Sequence, residues 1–235
     1  PGGEAAEVLD TGMRNPDGLG ILPDGSLTLP SSEGNWVPAS MIGLVAPAGR
    51  SHAANRRPHF GYGGPIDNLP PDLPLVYLPR AIDNSSGGQT VVPQQVCGPL
   101  AGQLLHFSFG RGSWFTVLRD VVDGQAQGAV VPMAGEFLSG AHRGRFSPQD
   151  RHLYVTGQQG WGPYTIDDGC LHRIRWTGEA YQIATGFHVH ENGIRVTFAQ
   201  PVDPQLATDP GNYFAQCWNY RYSGAYGSPE YSPSH

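Results

Sequence analysis

Residues 12–36 read Gly12-Met13-Arg14-Asn15-Pro16-Asp17-Gly18-Leu19-Gly20-Ile21-Leu22-Pro23-Asp24-Gly25-Ser26-Leu27-Thr28-Leu29-Pro30-Ser31-Ser32-Glu33-Gly34-Asn35-Trp36, and the chain runs on through Val37 to Val45. The spacing predicts a strand over Leu19–Leu22, a Pro23-Asp24-Gly25 turn and a second strand over Ser26–Pro30 that ends in a polar, Gly-containing loop. The pattern returns further on: Arg145-Phe146-Ser147-Pro148-Gln149-Asp150, an apolar strand Leu153–Thr156, then Gly157-Gln158-Gln159-Gly160-Trp161. Each copy opens its turn with Pro and Asp and closes on a Gly near a Trp. A strand–turn–strand unit repeated with its punctuation intact implies a repeat architecture, and short antiparallel strands make that a β-propeller.

Composition agrees. The 235 residues include 33 Gly and 22 Pro, with 39% hydrophobic and 10% aromatic content. That balance suits many short strands joined by tight turns. Apolar residues rarely recur at helical spacing over three turns, and prolines interrupt most candidates, so the chain reads as all-β. The net charge of −6 comes without any basic stripe, which argues against nucleic acid as a partner. All 14 basic residues are Arg, so lysine chemistry, from Schiff bases to the P-loop, is excluded. Cys97, Cys170 and Cys217 fit no zinc spacing and no Cys-x-x-Cys-His haem motif, so no covalent haem is expected on this chain. No membrane-spanning stretch or signal peptide is visible. The chain starts with Pro1, which suggests a processed product or a piece of something longer.

The expected organisation is an incomplete propeller over residues 1–185, about three blades, then the start of an immunoglobulin-like β-sandwich over 186–235. The first unit spans residues 1–50. Residues 51–74 are too rich in Gly and Pro for regular structure and suggest a functional excursion. A second unit starts near Val76 and includes strands Leu104–Phe109 and Trp114–Arg119. A third begins at Gly128–Met133 and closes with Leu171–Trp176. Beyond residue 186, Gly193–Pro204 alternates over Ile194, Val196 and Phe198, and a further strand is expected within Asn212–Tyr222. Because about three blades leave two sheet edges unpaired, further polypeptide is expected to complete the ring.

Gly12–Leu19 resembles the Arg-Asn-Pro-x-Gly-Leu signature of the soluble quinoprotein sugar dehydrogenases, the glucose/sorbosone dehydrogenase-like six-bladed propellers. The likeness continues through Asp24-Gly25 to Ser32-Glu33-Gly34, where that family carries Glu-x-Gly-Pro. Ile82–Gln89, Gln127–Pro132, Arg145–Pro148 and Trp218–Tyr222 resemble large secreted bacterial multidomain proteins in which such a propeller accompanies a c-type haem domain. The resemblance implies a periplasmic or extracellular protein, sugar or polyol oxidation, a pyrroloquinoline-type quinone, calcium, and a c-type cytochrome partner. It makes Arg14 the electrophilic catalytic group and places Arg14, Asn15 and Gly34 at the cofactor. Glu33 and Gly34 would then hold calcium through the backbone. Two departures stand out: Met13 where His is common, and Asn35 where Pro is expected. The blade supplying the family's histidine base lies earlier than this sequence begins.

Other constellations carry two readings each. Arg143-x-Arg145 projects two guanidiniums to one side, either as a clamp for an anionic cofactor or sugar acid or as blade salt bridges. Asp83-Asn84-Ser85 offers oxygens to calcium or makes a plain Asx-turn. His188-x-His190 is a metal pair or incidental. Trp218, Tyr220, Tyr222, Tyr226 and Tyr231 either form a platform for carbohydrate or a partner, or pack between domains. These leave a rival to the oxidoreductase reading: a non-catalytic scaffold or binding module for glycans or a partner subunit.

Overall fold

The computed structural model describes residues 3, 6–46, 56–161 and 164–234. The quoted turn forms as the sequence dictates. Asp24 Oδ1 accepts the Ser26 N–H at 2.9 Å, and Gly25 takes φ +84°. This sets β1 (Gly20–Ile21) against β2 (Leu27–Ser31). β3 (Ser40–Val45) pairs with β2, and β4 (Val76–Leu78) pairs with β3, giving a four-stranded antiparallel meander.

The second sheet is β5 (Ser86–Val91), β6 (Leu104–Ser108), β7 (Ser113–Val122) and β8 (Gln125–Pro132), again in sequence order. The third has three strands, β9 (Gly140–Phe146), β10 (Leu153–Gln158) and β11 (Gly169–Ile174). The first strands β1, β5 and β9 lie side by side, as the inner strands of consecutive blades do. Among the described residues these three blades do not close a ring.

Two expected boundaries move. Val76–Leu78 ends the first blade instead of opening the second. The chain returns to its own sheet because Leu75 and Leu78 bury beside Ile42. Gly128–Met133 likewise belongs to the second blade, because Asp123 (φ +50°) and Gly124 (φ +80°) make a tight turn that folds β8 back along β7. The excursion expected over 51–74 is described from Arg56 onward, and its earlier residues lie outside the described set. Its Phe60 and Tyr62, with Leu9 and Met13, cover the outer face of the first blade over Val37, Met41 and Val45.

Both faces of the middle blade are buried, so its strands alternate between two cores. Leu104, Phe115 and Val117 face the first blade against Leu22, Ile42, Leu75 and Leu78. Leu105 and Phe107 face the third, against Phe137, Ala141, Leu153 and Val155. The inner strands approach closely because β5 carries a glycine pair. A Cβ on Gly87 would lie 2.5 Å from the Ala141 carbonyl oxygen, and one on Gly88 2.9 Å from that of His142.

Among the described residues, the segment expected to begin a sandwich opens with a hairpin, β12 (Ala184–His190) with β13 (Gly193–Phe198). β12 lies along β7, where His188 Nδ1 meets Asp120 at 3.0 Å, and the His190 ring stands edge-on to that of His188. The strand expected within Asn212–Tyr222 shrinks to β14 (Asn219–Tyr220), paired with β15 (Glu230–Tyr231). A short helix α1 (Pro204–Thr208), capped by Asp203, precedes it. The tail then folds back over the first blade. The Tyr77 and Tyr220 hydroxyls meet at 2.9 Å, Tyr222 donates to the Gly61 carbonyl at 2.8 Å, and its ring packs on Trp36. Burial and the neighbouring Tyr220 push the Tyr77 hydroxyl pKa well up. No helix among the described residues is long and apolar enough to cross a membrane. All three cysteines are free thiols.

Candidate functional site

The chain bends at Arg14–Asn15, where Asn15 takes φ +44°, and the turn distributes the motif to two places. Backbone bonds anchor the bend. The Arg14 N–H donates to Ser31 Oγ at 2.8 Å, and the Ser32 N–H to the Arg14 carbonyl at 3.0 Å.

Arg14 meets Glu33 and Gly34 at the first of these places. Its Nη1 donates to the Glu33 carbonyl at 2.8 Å and to the Tyr226 hydroxyl at 3.4 Å. The guanidinium lies 5.5 Å from the centre of the Tyr226 ring. The side chain fits only because residue 34 is glycine, as a Cβ there would come within 2.6 Å of Arg14 Cδ. The tail holds the turn from the other side. Gly227 N–H donates to the Gly34 carbonyl at 2.9 Å, Asn35 Nδ2 to the Gly224 carbonyl at 2.9 Å, and Trp36 N–H to that of Ala225 at 3.2 Å. The Glu33 carboxylate pairs with Arg80 at 2.6 Å.

Asp17 reaches the inner strand of the third blade. It accepts from Arg143 Nη2 at 2.7 Å and bonds His142 Nε2. The Phe109 ring stands edge-on to His142 and to Trp161. Arg145, two residues beyond Arg143, turns elsewhere and donates to the Gln89 and Gly144 carbonyls at 3.1 and 2.7 Å. The two guanidiniums therefore serve different partners.

Asp83 lies apart from both places and is fully enclosed. Oδ1 accepts from Ser108 Oγ at 2.6 Å and from the Ser85 N–H at 3.1 Å, completing an Asx-turn. Oδ2 accepts from Ser86 Oγ at 2.5 Å and faces His106 Nε2 at 3.3 Å. Burial alone would push its pKa up, but the hydrogen bonds from His106, Ser108 and Ser86 outweigh it and hold the carboxyl below its ordinary value.

The expected calcium and quinone contacts can be tested against these donors. Calcium takes carbonyl oxygens at about 2.3–2.6 Å. Here the Glu33 oxygen carries a guanidinium and the Gly34 oxygen carries the N–H groups of Val37 and Gly227. A cation beside Nη1 would meet like charge, so this turn does not fit calcium. Nor does Arg14 fit a quinone carboxylate well, since Nη1 of its fork is committed and Tyr226 lies over it. Among the described residues, no three His, Cys, Asp or Glu side chains are grouped to hold a metal ion.

The sequence does not mark Asp17 or His142 as site residues, and it offers Tyr226 only within the terminal aromatic cluster, not beside Arg14. Asp17 is the variable position of the Arg-Asn-Pro-x-Gly-Leu motif, which gives it no role. Nothing local ties His142 to Asp17 or Tyr226 to Arg14, as they are brought in from 125 and 212 residues away.

Neither a family model nor a curated protein sequence matches the chain. Among solved structures, it is similar to an oxidoreductase from Thermus thermophilus described provisionally as a glucose dehydrogenase, with 18% identity and a TM-score of 0.48 over 74% of this chain. It is also similar to two structures named glucose dehydrogenase, at 17% identity and TM-score 0.48 over 74% of the chain, and at 16% and 0.49 over 77%. The chain spans about half of each of them, 49% in every case.

Proposed function

We propose that these blades form a non-catalytic propeller module, a scaffold that presents its rim and its third blade to partners. One observation carries this reading: Arg14 is spent within the fold, on the Glu33 carbonyl and under Tyr226 of the tail. The natural partner is further polypeptide extending the propeller. The third blade supports this, having three strands where its neighbours have four and leaving Leu171 69% exposed on its outermost strand.

A second reading, a segment of a secreted, quinone-linked and haem-partnered sugar or polyol dehydrogenase, is favoured by the Asp17–His142 pair. A carboxylate bonded to an imidazole is how a general base is held and oriented.

Arg14→Lys separates the two. The module reading predicts a loss of about 1–2 kcal/mol of stability in urea unfolding, from the weakened charged hydrogen bond. It also predicts that pyrroloquinoline quinone, with and without calcium, leaves the wild-type unfolding midpoint unmoved. Saturable quinone binding by the wild type, weakened in Arg14→Lys, would overturn it, because lysine cannot supply the bidentate fork.

A further inference from the structure

At the outer end of the second and third blades, away from Asp17, an open cleft of about 190 Å³ runs into the core between them. Leu105, Leu153, Trp114, Met133, Phe146 and Trp176 line it. The Cys97 thiol also lines it. Burial pushes that thiol's pKa up, so it lines the cleft as an uncharged group.

Two features set this cleft apart from an ordinary gap between blades. Its rim is built from a left-handed pair, Cys97 at φ +59° followed by Gly98 at φ +51°, and Cys97 does this without glycine's freedom. That conformation brings the loop beneath Trp176, whose ring would lie 3.0 Å from a Cβ on Gly98. In this cleft the rings of Trp114, Phe146 and Trp176 stand around unfilled space. Water gains little in such a space, because a stable buried water needs two or more polar partners.

We propose that this cleft is a binding site for a small uncharged aromatic molecule. The volume sets the size, since apolar cavities of about 150 Å³ accept benzene. One ring with a short substituent fits, and an extended acyl chain does not. The walls set the class. Indole and phenyl rings allow edge-to-face contacts with a bound ring, and the Met133 thioether makes favourable contact with its edge. The lining residues include no carboxylate to hold a cationic ligand, and Arg175 is the one charged side chain among them.

Fluorobenzene, followed by fluorine NMR with the full chain, tests this. The wild type is expected to shift or broaden the signal saturably, with a Kd on the order of 1 mM. At about twice that concentration the ligand should slow modification of Cys97 by N-ethylmaleimide about three-fold, following site occupancy. Cys217, which lies outside the cleft, should react at an unchanged rate. Ala134→Phe places a ring at the mouth from an exposed position and should abolish both effects with the circular dichroism spectrum retained. A response that never saturates, an equal response in folded Ala134→Phe, or equal slowing at Cys97 and Cys217 would each overturn the proposal. Should Ala134→Phe fail to fold, the two cysteines in the wild type decide alone.

Discussion

Asp83→Ala is expected to destabilise the protein by about 2–5 kcal/mol, because two buried hydroxyls lose their acceptor at about 1–3 kcal/mol each. The reason lies in a polar chain crossing the interface between the first two blades. Thr28 on β2 donates to Gln89 Oε1 on β5 at 2.6 Å. That bond turns the Gln89 amide so that its Nε2 faces His106 Nδ1 at 3.0 Å. His106 Nδ1 then accepts, and its proton sits on Nε2, which lies 3.3 Å from Asp83 Oδ2. Asp83, Gln89, His106 and Thr28 are each at most 1% exposed. Alanine would strand the buried hydroxyls of Ser86 and Ser108, without water to replace the lost acceptor, and would also take the acceptor of the part-buried Ser85 N–H. Asp83→Asn should cost less but still measurably, because its amide NH₂ offers a donor where neighbouring groups already donate. Urea unfolding midpoints measure all three proteins. A loss below about 1 kcal/mol in Asp83→Ala would mean that this network does not bind the blades together.

The same carboxylate dictates a pH dependence. Its native pKa lies below the ordinary value of 3.8, so the unfolded chain takes up the proton first as pH falls. The stabilisation is complete above 3.8 and disappears as pH drops through the lower native value. Wild type and Asp83→Ala should therefore converge in stability in acid and diverge above it. A difference that stayed constant down to the lowest pH at which the protein remains folded would count against an ionised Asp83.

How far the molecule can be read from its residues depends on the distance over which each decision is made. Pro23-Asp24-Gly25 closes on itself through Asp24 and Ser26, so that turn and its two strands were legible. So were β6 and β7, expected over Leu104–Phe109 and Trp114–Arg119 and found over Leu104–Ser108 and Ser113–Val122. Blade membership was not. Val76 joins the first blade across a long excursion whose return is decided by burial of Leu75 and Leu78 beside Ile42. β8 is set by a local signal, the Asp123-Gly124 turn, which outweighs the expected break at Gly128. In the candidate site, the proximity of Arg14 to Glu33 and Gly34 followed from a short hairpin connection. The cover supplied by Tyr226 and the partnership of Asp17 with His142 depend on how the tail and the third blade fold back. No short-range pattern encodes either.

Phe107→Ala should destabilise by about 3–5 kcal/mol, as for other fully buried aromatic truncations. Phe107 is fully buried between the second and third blades, edge-on to Phe137 with ring centres 6.4 Å apart. Its ring lies directly over Gly144 on β9, where an added Cβ would come within 2.2 Å of Phe107 Cζ. Gly144→Ala should therefore overpack the same interface and cost about 1–3 kcal/mol alone. Ile166→Ala, at an 86% exposed position, should stay within about 0.5 kcal/mol. The two interface changes touch one space with opposite sign, since one empties it and the other intrudes. The double variant should thus lose less than the sum of the singles, with a coupling of about 0.5–3 kcal/mol. Additive losses would show that residues 107 and 144 do not share a contact. The stacking of the third blade on the second, on which both the Asp17–His142 pair and the aromatic cleft depend, would then be wrong. A clear coupling would instead support the packing of β6 against β9 that places that ring over that glycine.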